Sequence, residues 1–508
     1  MTAIRPDTTT AINLAEMLAG LPVTGDPEEV CVTGVRHDSR EVLPGELYIA
    51  LPGGRFHGAQ FASQAVSQGA AAILTDPAGA AQIAGTQVPV LVTDSLRPVM
   101  AAVSARVFGS PAESLQLFGV TGTNGKTTTV ALLEAALTTA GHRVGTIGTL
   151  GFRIGGEPLA SGRSTVTTPD SPDLQALLAV MRERDADAVA IEVSSHAMTL
   201  ARVDAIRFTV TAFLNLGRDH LDFHPSLADY FEAKAALFVP ERTRAAVVWI
   251  DDEHGRELAR RAVGTGLPCA TVGTRSEADY HILGYEALRP LGGRARLVTS
   301  SGPVELELGI PGWHNMIDAA MAFAMLESAG IPAAEALAGL RKAQVPGRMH
   351  VVDLPEGAPT VIVDFAHTPQ AVTATLEALQ GFRQVITVIG CGGDRDAAKR
   401  PLMGRAAAEL SDLVIITDDN PRTEDPAQIR AAVLAGSRGY RAKVMESAER
   451  GQAIALALAK GKRDSVVAIL GKGHEQGQQI GDRVVAFDDA VVAQAAWRQK
   501  EGKMVDEG

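Results

Sequence analysis

The segment with the clearest chemical signature is a glycine-containing loop between a strand-type run and a helix-type run. Its residues are Gly122, Thr123, Asn124, Gly125, Lys126, Thr127 and Thr128. Backbone N–H groups at such a turn, together with the positive end of the following helix, form a site for phosphate oxygens. In such a site Lys126 contacts the β- and γ-phosphates of a nucleotide, and the Thr127 hydroxyl reaches Mg²⁺.

The spacing of this phosphate loop differs from the ordinary GxxxxGK[ST] pattern, because Val120 stands five residues before Gly125. The strand before it and the helix after it still favour phosphate binding over a plain glycine-rich turn. A phosphate loop alone does not say what the phosphate is used for.

Three ionisable side chains follow at strand ends or on a helix. Glu192 ends a buried strand-type run, where a carboxylate is either a paired structural acid or a ligand. His220 lies in a strand-end loop, and a single histidine is more often structural than a ligand. Lys234 lies on a helix among apolar neighbours, and composition alone favours a solvated lysine there. The residues by themselves leave these roles open.

Seven blocks, in order along the chain, resemble those of the Mur ligases, and in particular the tripeptide synthetases of that family. The blocks are Gly122–Thr128, Glu192–Ala197, Asn215–Asp222, Asp364–Pro369, Gly390–Asp396, Asp419–Arg422 and Gly471–Glu475. The resemblance spans essentially the whole chain. It implies an N-terminal domain for the UDP end of the substrate, a central ATPase domain and a C-terminal domain that brings the amino acid.

The resemblance implies catalytic roles for Lys126, Glu192, His220 and Lys234. It also implies Mg²⁺ held by Thr127, Glu192, His220 and Lys234, the last as a carbamylated lysine. This modification is chemically coherent, because burial favours the neutral amine that takes up CO₂. Positive charge is needed at this point, since a carboxylate must approach the negative γ-phosphoryl group of ATP.

Two further positions resemble ATP contacts. Asn315, in the block Gly312–Asn315 at the start of a helix, corresponds to the residue that contacts adenine, and Asp364, at a strand end, fits a ribose or domain-closing role. The chain departs from the family pattern at His314 and Asp318. These departures put the adenine contacts in doubt.

For the muramoyl-peptide, the resemblance points to Thr167, Thr168, Ser194 and Arg202. Ser39, in the segment His37–Arg40, is the matching residue for the UDP group. Leu200 stands where some relatives carry glutamine, so one polar substrate contact is expected to be missing. A purely turn-forming role stays open for the Ser39 segment.

The choice of amino acid rests on the residues that match the family's diamino-acid site. Meso-diaminopimelate has a second zwitterionic centre, which calls for a guanidinium for its far carboxylate and an acid for its far ammonium. The matching residues are Arg395, Asp419, Asn420, Pro421, Arg422, Gly471 and Glu475. This set favours meso-diaminopimelate, while L-lysine, L-ornithine and LL-diaminopimelate stay open as alternatives.

The expected activity is therefore ATP-dependent ligation of a free diamino acid to UDP-MurNAc-L-Ala-D-Glu through an acyl-phosphate, in peptidoglycan precursor synthesis. Three other functions remain: a folylpolyglutamate-synthetase-like ligase, a P-loop kinase or ATPase, and a nucleotide-sugar binding module without catalysis. The Asp419–Arg422 and Gly471–Glu475 blocks argue against the first. The set of Lys126, Glu192, His220 and Lys234 argues against the last.

Strand-type and helix-type runs alternate along most of the chain, and these elements must position the residues above. The alternation predicts an α/β fold of three domains, each with a mostly parallel sheet. The predicted boundaries are residues 1–108 for a small UDP-sugar-binding domain, 109–345 for the ATP-binding domain and 346–508 for a Rossmann-like, amino-acid-binding domain. The carboxyl ends of parallel strands share one edge, and the motifs follow those ends.

Composition limits the partners. The chain has 508 residues, of which 46% are hydrophobic and 21% charged, with a net charge of −12. An acidic excess spread along the chain argues against a nucleic-acid partner. The absence of a long apolar run and of a signal-peptide pattern predicts a cytoplasmic protein, and we expect a monomer. The three cysteines, Cys31, Cys269 and Cys391, have no zinc or disulfide spacing.

Overall fold

The computed structural model describes residues 4–27, 29–159, 166–217, 219, 223–288 and 291–506. The chain divides into two compact units. The first comprises the chain up to Leu283 together with Leu297–Val304 and Asp318–Leu340. The second comprises Gly284–Arg296, Glu305–Ile317 and the chain from Arg341 onward.

The N-terminal part of the first unit is built on a four-stranded parallel sheet. Its strands, in spatial order, are Gly34–Arg36, Glu46–Ala50, Ala72–Thr75 and Val90–Val92. A separate antiparallel pair joins Ile12–Asn13 to Cys31–Val32. The helices of this part are Leu14–Leu18, Ala62–Ser67, Pro77–Ala80 and Leu96–Val107. A 3-10 turn, Gly58–Phe61, directly precedes the helix Ala62–Ser67.

A larger sheet of eleven strands carries the phosphate loop. In spatial order its strands are Glu157–Pro158, Gly151–Ile154, Val144–Gly148, Ala188–Glu192, Gln116–Thr121, Val210–Phe213, Ala246–Trp249, Cys269–Gly273, Tyr280–Ala287, Gly293–Thr299 and Gly302–Leu308. The six strands from Val144–Gly148 across to Cys269–Gly273 pair in parallel. Gln116–Thr121 lies between Ala188–Glu192 and Val210–Phe213, so the loops after these three strands open at one edge.

Helices connect these strands. They are Lys126–Thr139, Ser171–Glu183, Ser195–Thr199, Leu227–Ala235, Glu253–Gly264, Trp313–Ser328 and Ala333–Lys342, and a 3-10 turn covers Pro111–Ser114. The strand Ala188–Glu192 is buried along its whole length because the sheet is covered on both faces, as its continuous apolar sequence predicts. The helix that carries Lys234 ends at Ala235.

The C-terminal part of the second unit contains a six-stranded sheet. Its order is His350–Val351, Thr360–Asp364, Ser465–Leu470, Gln384–Ile389, Leu413–Ile416 and Lys443–Glu446. Only the pairing of His350–Val351 is antiparallel. The helices are Pro369–Glu377, Lys399–Leu410, Pro426–Gly436, Arg450–Lys460 and Asp489–Asp506. A separate hairpin pairs Gly477–Ile480 with Arg483–Ala486.

The prediction of a three-domain α/β protein with mostly parallel sheets is confirmed by these three sheets. The central strands Gln116–Thr121, Ala188–Glu192 and Ser465–Leu470 are almost entirely buried, and polar motifs begin where these strands end. Across the part of the chain that the structure describes, no helix has both the length and the apolar character needed to cross a membrane.

Candidate active site

The phosphate loop begins where the strand Gln116–Thr121 ends, and Gly125 directly precedes the helix. Gly125 has a φ of +89°, and a β-carbon there would overlap the carboxyl group of Asp318. Glycine is therefore required both by the left-handed backbone and by this close approach. The Lys126 ammonium donates to the carbonyl oxygens of Gly122 (2.8 Å) and Thr123 (3.0 Å), so this lysine lies over the loop.

Residues after the neighbouring strand hold the loop in shape. The Asn215 side chain accepts a hydrogen bond from the Asn124 N–H (2.9 Å) and donates one to the Asn124 carbonyl (3.1 Å). The Thr123 hydroxyl accepts from the Gly217 N–H (2.8 Å) and lies 3.2 Å from the Tyr230 hydroxyl. Thr127 and Thr128 are buried in the first turn of the helix. Sequence reasoning missed the bracing role of Asn215, because its partner Asn124 lies 91 residues away in the sequence.

Lys234 is the second lysine at this loop. Its side chain is 1% exposed, and its Nζ donates to the same Gly122 carbonyl as Lys126 (3.0 Å) and lies 3.4 Å from the Thr121 hydroxyl. The amine also stands 4.6 Å from the ring centre of Tyr230. Burial holds the pKa of Lys234 well below its ordinary value of 10.5; the nearby charge of Lys126 lowers this pKa further, and Asp219 opposes the shift. The solvated lysine that composition favours is therefore wrong.

Glu192 ends its strand with a side chain only 1% exposed. Its carboxylate accepts from the backbone N–H (2.9 Å) and the hydroxyl (3.0 Å) of Thr149, both of which are neutral donors. A carboxylate and a hydroxyl such as that of Thr127 are oxygen ligands of the kind Mg²⁺ prefers. His220 lies outside the described residues. Among the residues that are described, no group of three His, Cys, Asp or Glu side chains could hold a metal ion.

Three of the residues predicted to hold the muramoyl-peptide lie together. The Thr168 hydroxyl is 3.3 Å from the Ser194 hydroxyl and accepts from the Ser194 N–H (3.1 Å). Arg202 donates to the Thr168 carbonyl (2.7 Å) and to the Asp170 carboxylate (3.1 Å). The Thr167 hydroxyl lies apart from these bonds, 3.5 Å from that of Thr149. Leu200 is the residue directly after the helix Ser195–Thr199.

Asp170 is a residue that sequence reasoning missed. Besides Arg202, it contacts Arg97 at 3.5 Å and His37 at 4.0 Å, both from the N-terminal part of the same unit. Ser39, two residues after His37, is buried and donates to the Gln64 side chain (2.8 Å). The predicted UDP segment and the predicted muramoyl-peptide segment therefore meet at one carboxylate. The position of Asp170 before the helix Ser171–Glu183 was the available sequence signal.

The remaining predicted nucleotide contacts are held by internal bonds. The buried Asn315 amide donates to the Pro311 carbonyl (2.7 Å). Asp364 accepts from the Met349 N–H (2.6 Å) and from the Thr375 hydroxyl (3.0 Å). Their contacts with ATP remain predictions.

His314 and Asp318, the two residues at which the chain departs from the family pattern near the adenine contacts, both have shifted pKa values. Burial lowers the pKa of His314, and Asp364 opposes this shift. Burial raises the pKa of Asp318 well above its ordinary value of 3.8. The Asp318 carboxyl therefore keeps its proton at a higher pH than an exposed aspartate.

In the second unit, the segment Asp419–Arg422 follows the strand Leu413–Ile416 and is bound to the separate hairpin. The Arg422 N–H donates to the Gln479 carbonyl (3.1 Å), and the Gly481 N–H donates to the Arg422 carbonyl (2.7 Å). Arg422 has a φ of 51°, so these bonds fix it in a left-handed conformation. Its Nη1 donates to the Gly393 carbonyl (2.6 Å). Pro421, directly before it, is buried.

The other predicted diamino-acid residues lie around this segment. A β-carbon at Gly392 would lie 2.9 Å from Arg422 Nη1 and 3.9 Å from the Cγ of the exposed Arg395, so both arginines flank one glycine. Asn420 donates to the Glu475 carboxylate (2.7 Å). Gly471 has a φ of +116°, and a β-carbon there would be 2.5 Å from Asp419 Oδ2. Burial raises the pKa of Asp419, an effect that Arg450 and Lys472 oppose.

Comparison with known proteins gives three family-model matches along the chain. They are the Mur ligase family catalytic domain at residues 31–107, the Mur ligase middle domain at residues 120–326 and the Mur ligase glutamate ligase domain at residues 347–473. The matches include the phosphate loop, the segment that carries Lys234 and the segment Asp419–Arg422.

Individual relatives are similar over nearly the full chain. The UDP-N-acetylmuramoyl-L-alanyl-D-glutamate--2,6-diaminopimelate ligase of Streptomyces coelicolor is 43% identical, over 98% of this chain and 99% of the relative. The ligase of the same name from Corynebacterium glutamicum is 42% identical over 93% of each chain. A solved structure of a ligase with that name has a TM-score of 0.72 and 30% identity, and covers 97% of this chain and all of its own. The chain therefore belongs to the Mur ligase family and is an ATP-dependent enzyme that forms amide bonds.

Proposed function

We propose that the protein joins meso-diaminopimelate to UDP-N-acetylmuramoyl-L-alanyl-D-glutamate with ATP, in peptidoglycan precursor synthesis. A carboxylate oxygen of the D-glutamyl residue attacks the γ-phosphorus of ATP and ADP leaves. The amino group of diaminopimelate then attacks the acyl carbon, phosphate leaves, and the amine loses a proton. Because the reaction consumes ATP, we place it in the cytoplasm.

The observation that carries the choice of substrate is the pairing of opposite charges around Asp419–Arg422. The guanidinium belongs to Arg422, the last residue of this segment. The carboxylate belongs to Glu475, which accepts a hydrogen bond from Asn420 of the same segment at 2.7 Å. The far end of diaminopimelate carries a carboxylate and an ammonium, which are the complementary charges. L-Lysine and L-ornithine carry only the ammonium, and LL-diaminopimelate carries both groups with the other stereochemistry.

At the phosphate loop, Lys126 and Lys234 have different roles: the first contacts the phosphates, and the second is carbamylated. Lys126 is half-buried and balances the negative charge that develops as the carboxylate meets the γ-phosphoryl group. Lys234 is buried and its pKa is lowered, so its neutral amine is available for CO₂. A carbamate formed there converts a base into an anion next to the Gly122 carbonyl.

Mg²⁺ would be held by the Thr127 hydroxyl, the Glu192 carboxylate and the carbamate on Lys234, which are oxygen ligands of the kind it prefers, with His220 as a nitrogen ligand. The bound ion would neutralise charge on the phosphates. Thr149 orients Glu192 through its two hydrogen bonds. Both Thr149 donors are neutral, so these two bonds leave the negative charge of Glu192 available to a cation.

The muramoyl-peptide is assigned to Ser39, Thr167, Thr168, Ser194 and Arg202. Arg202 donates to Asp170, which Arg97 and His37 also approach. The three cationic or titratable groups around one carboxylate supply positive potential for a diphosphate and for the D-glutamyl carboxylate.

The test is the release of ADP by the purified protein with UDP-MurNAc-L-Ala-D-Glu and one amino acid at a time. The amino acids are meso-diaminopimelate, LL-diaminopimelate, L-lysine, L-ornithine and L-glutamate, and the product mass is measured in each case. We expect ADP and a tripeptide product with meso-diaminopimelate, and neither when the muramoyl substrate is omitted. ADP release without the muramoyl substrate would support a P-loop ATPase, and glutamate addition to a folate substrate would support the other ligase.

A further inference from the structure

A buried lysine at the edge of the Asp419–Arg422 segment has no role in the reaction described so far. Lys472 lies in the loop after the strand Ser465–Leu470, between Gly471 and Gly473. Its side chain is 0% exposed. From the sequence, a lysine between two glycines is expected to be flexible and solvated. Its burial therefore needs an explanation, because lysine is rarely buried without a partner.

Three acceptors surround the Lys472 ammonium. Its Nζ donates to the Asn420 side-chain oxygen (3.0 Å) and to Glu475 Oε2 (3.0 Å), and Asp419 Oδ1 lies 3.7 Å away. These acceptors belong to three of the residues assigned to the diamino acid. Burial of an ammonium is costly unless anions and acceptors compensate it, so this cation is held in place by the site itself.

Lys472 and the backbone N–H of Gln479 together determine how the Asn420 amide is turned. The Asn420 Oδ1 accepts from Lys472 and from the backbone N–H of Gln479 (2.9 Å). With the oxygen turned toward two donors, the Asn420 Nδ2 points to Glu475 Oε2, which is 2.7 Å away. The reverse orientation of the amide would place its NH₂ group against two donors.

The same bonds select one oxygen of Glu475. Oε2 accepts from both Lys472 and Asn420, and neither bond uses Oε1. The Glu475 side chain is partly exposed, at 34%, whereas Lys472 is fully enclosed. Oε1 is therefore the atom that can accept from the ammonium of a ligand that enters from solvent.

We propose that Lys472 is a positioning residue that orients Glu475 and Asn420 to recognise the far ammonium of the diamino acid. This inference rests on the proposed function, since it deepens the assignment of the same site. Lys472 acts through Glu475 and does not itself touch the ligand, because its ammonium is already bonded to protein acceptors on the buried side. Its charge also separates the carboxylates of Asp419 and Glu475, which otherwise repel each other.

The test replaces the lysine by an uncharged side chain of similar length, Lys472→Met. In the ADP-release assay we expect the KM for meso-diaminopimelate to rise about 10- to 100-fold, which is the loss expected for charge-assisted hydrogen bonds. The KM values for ATP and for the muramoyl substrate should stay within about twofold, because Lys472 lies in the site for the amino acid. The matched control is Lys443→Met, an exposed lysine on the edge strand Lys443–Glu446 of the same sheet, which should change none of the constants.

A purely structural lysine would not change substrate selectivity, so selectivity is the decisive measurement. 2-Aminopimelate keeps the far carboxylate of diaminopimelate and lacks the far ammonium. The unmutated enzyme should prefer diaminopimelate over this analogue by about 10- to 100-fold, and Lys472→Met should reduce the preference to about twofold. The preference for diaminopimelate over L-lysine, which lacks the far carboxylate, depends on Arg422 and should be unchanged.

A double variant tests whether Lys472 acts through Glu475. If it does, Lys472→Met combined with Glu475→Gln should be little worse than Glu475→Gln alone, because the bond is already lost. If Lys472→Met does not fold, as judged by its thermal melting curve, Lys472→Gln supplies a smaller, polar and neutral replacement for the same measurements.

The inference is overturned if either folded variant keeps the full preference for diaminopimelate over 2-aminopimelate, or if the two substitutions are additive. The proposed function fails separately, since it is tested in the unmutated enzyme. If that enzyme releases no ADP with meso-diaminopimelate, both assignments fall.

Discussion

Arg422 offers the sharpest test of the proposed substrate, because the structure separates its backbone from its function. Two hydrogen bonds to the hairpin, at 3.1 and 2.7 Å, fix its backbone whatever the side chain is. Its φ of 51° is equally strained for arginine and alanine, since both have a β-carbon. Arg422→Ala should therefore remove the guanidinium without new backbone strain, and the melting temperature should change little.

The expected loss of kcat/KM in Arg422→Ala follows from the hydrogen bonds that the Nε and Nη2 atoms of the guanidinium can donate. Nη1 is committed to the Gly393 carbonyl at 2.6 Å, which orients the plane and leaves the Nε and Nη2 edge for a carboxylate. Two parallel hydrogen bonds form at that edge. Loss of such a charge-assisted pair in a desolvated site costs about 2–5 kcal/mol, which corresponds to about 30- to several-thousand-fold in kcat/KM.

The assay compares kcat/KM for meso-diaminopimelate and for L-lysine in the unmutated enzyme, in Arg422→Ala and in a control. Diaminopimelate activity should fall by the factor above, while any weak lysine activity should change little, because lysine has no far carboxylate. Arg483→Ala is the control, since Arg483 is exposed on the second strand of the same hairpin. The control should keep both activities within about twofold.

Two results would refute the reasoning. If Arg422→Ala lowers both activities equally, the guanidinium supports the site as a whole and does not read the far carboxylate. If the unmutated enzyme uses L-lysine or L-ornithine as well as meso-diaminopimelate, the substrate assignment is wrong and only the ligase activity stands.

Three other predictions follow from the first unit. Lys126→Ala should lower kcat by about 10²-fold or more with an unchanged melting temperature, and near-normal turnover would contradict its phosphate role. Lys234→Ala should be nearly inactive and partly restored by added short-chain carboxylates, whereas an unmodified, solvent-facing ammonium at Lys234 in a crystal structure with bound Mg²⁺ and nucleotide would contradict the carbamate. Asp318→Asn should raise the melting temperature at pH 8 and have little effect at pH 4. The raised pKa of Asp318 means that the folded protein binds a proton that the unfolded chain releases, so stability from this group is present at low pH and falls by up to about 1.4 kcal/mol per unit as pH rises above 3.8. A pH-independent difference in melting temperature would refute this last prediction.

Several of the buried parallel strands could be predicted from the sequence because such strands are continuous apolar runs. Ala188–Glu192 is an example: its apolar residues end at the single carboxylate that the sequence singled out. The hairpin Gly477–Ala486 was missed because its first strand is polar, Gly-Gln-Gln-Ile. The Gly481-Asp482 pair between two extended runs was the signal that could have revealed it.

Burial of charged side chains was the property that the sequence could not supply. Lys234 and Lys472 have ordinary helix or loop neighbours in the sequence, yet both are fully enclosed. Each is stabilised by acceptors from distant parts of the chain: Gly122 lies 112 residues before Lys234, and Asn420 lies 52 residues before Lys472. Periodicity reports the immediate helix or strand, so contacts over such separations need either a family resemblance or a structure.

The phosphate loop and the segment Asp419–Arg422 each depend on an asparagine whose side-chain oxygen accepts hydrogen bonds and whose NH₂ group donates one. Asn215 accepts from and donates to the backbone of Asn124 in the phosphate loop, and Asn420 accepts from Lys472 and Gln479 while it donates to Glu475. Loops at strand ends lack backbone partners of their own, and a side-chain amide offers one acceptor and two donors within a few ångströms. An ionised aspartate has the same shape and no donor, so at either position it would lose one of these bonds and place a second negative charge beside a phosphate or a carboxylate. The requirement at both sites is therefore for the amide itself, and size alone does not satisfy it.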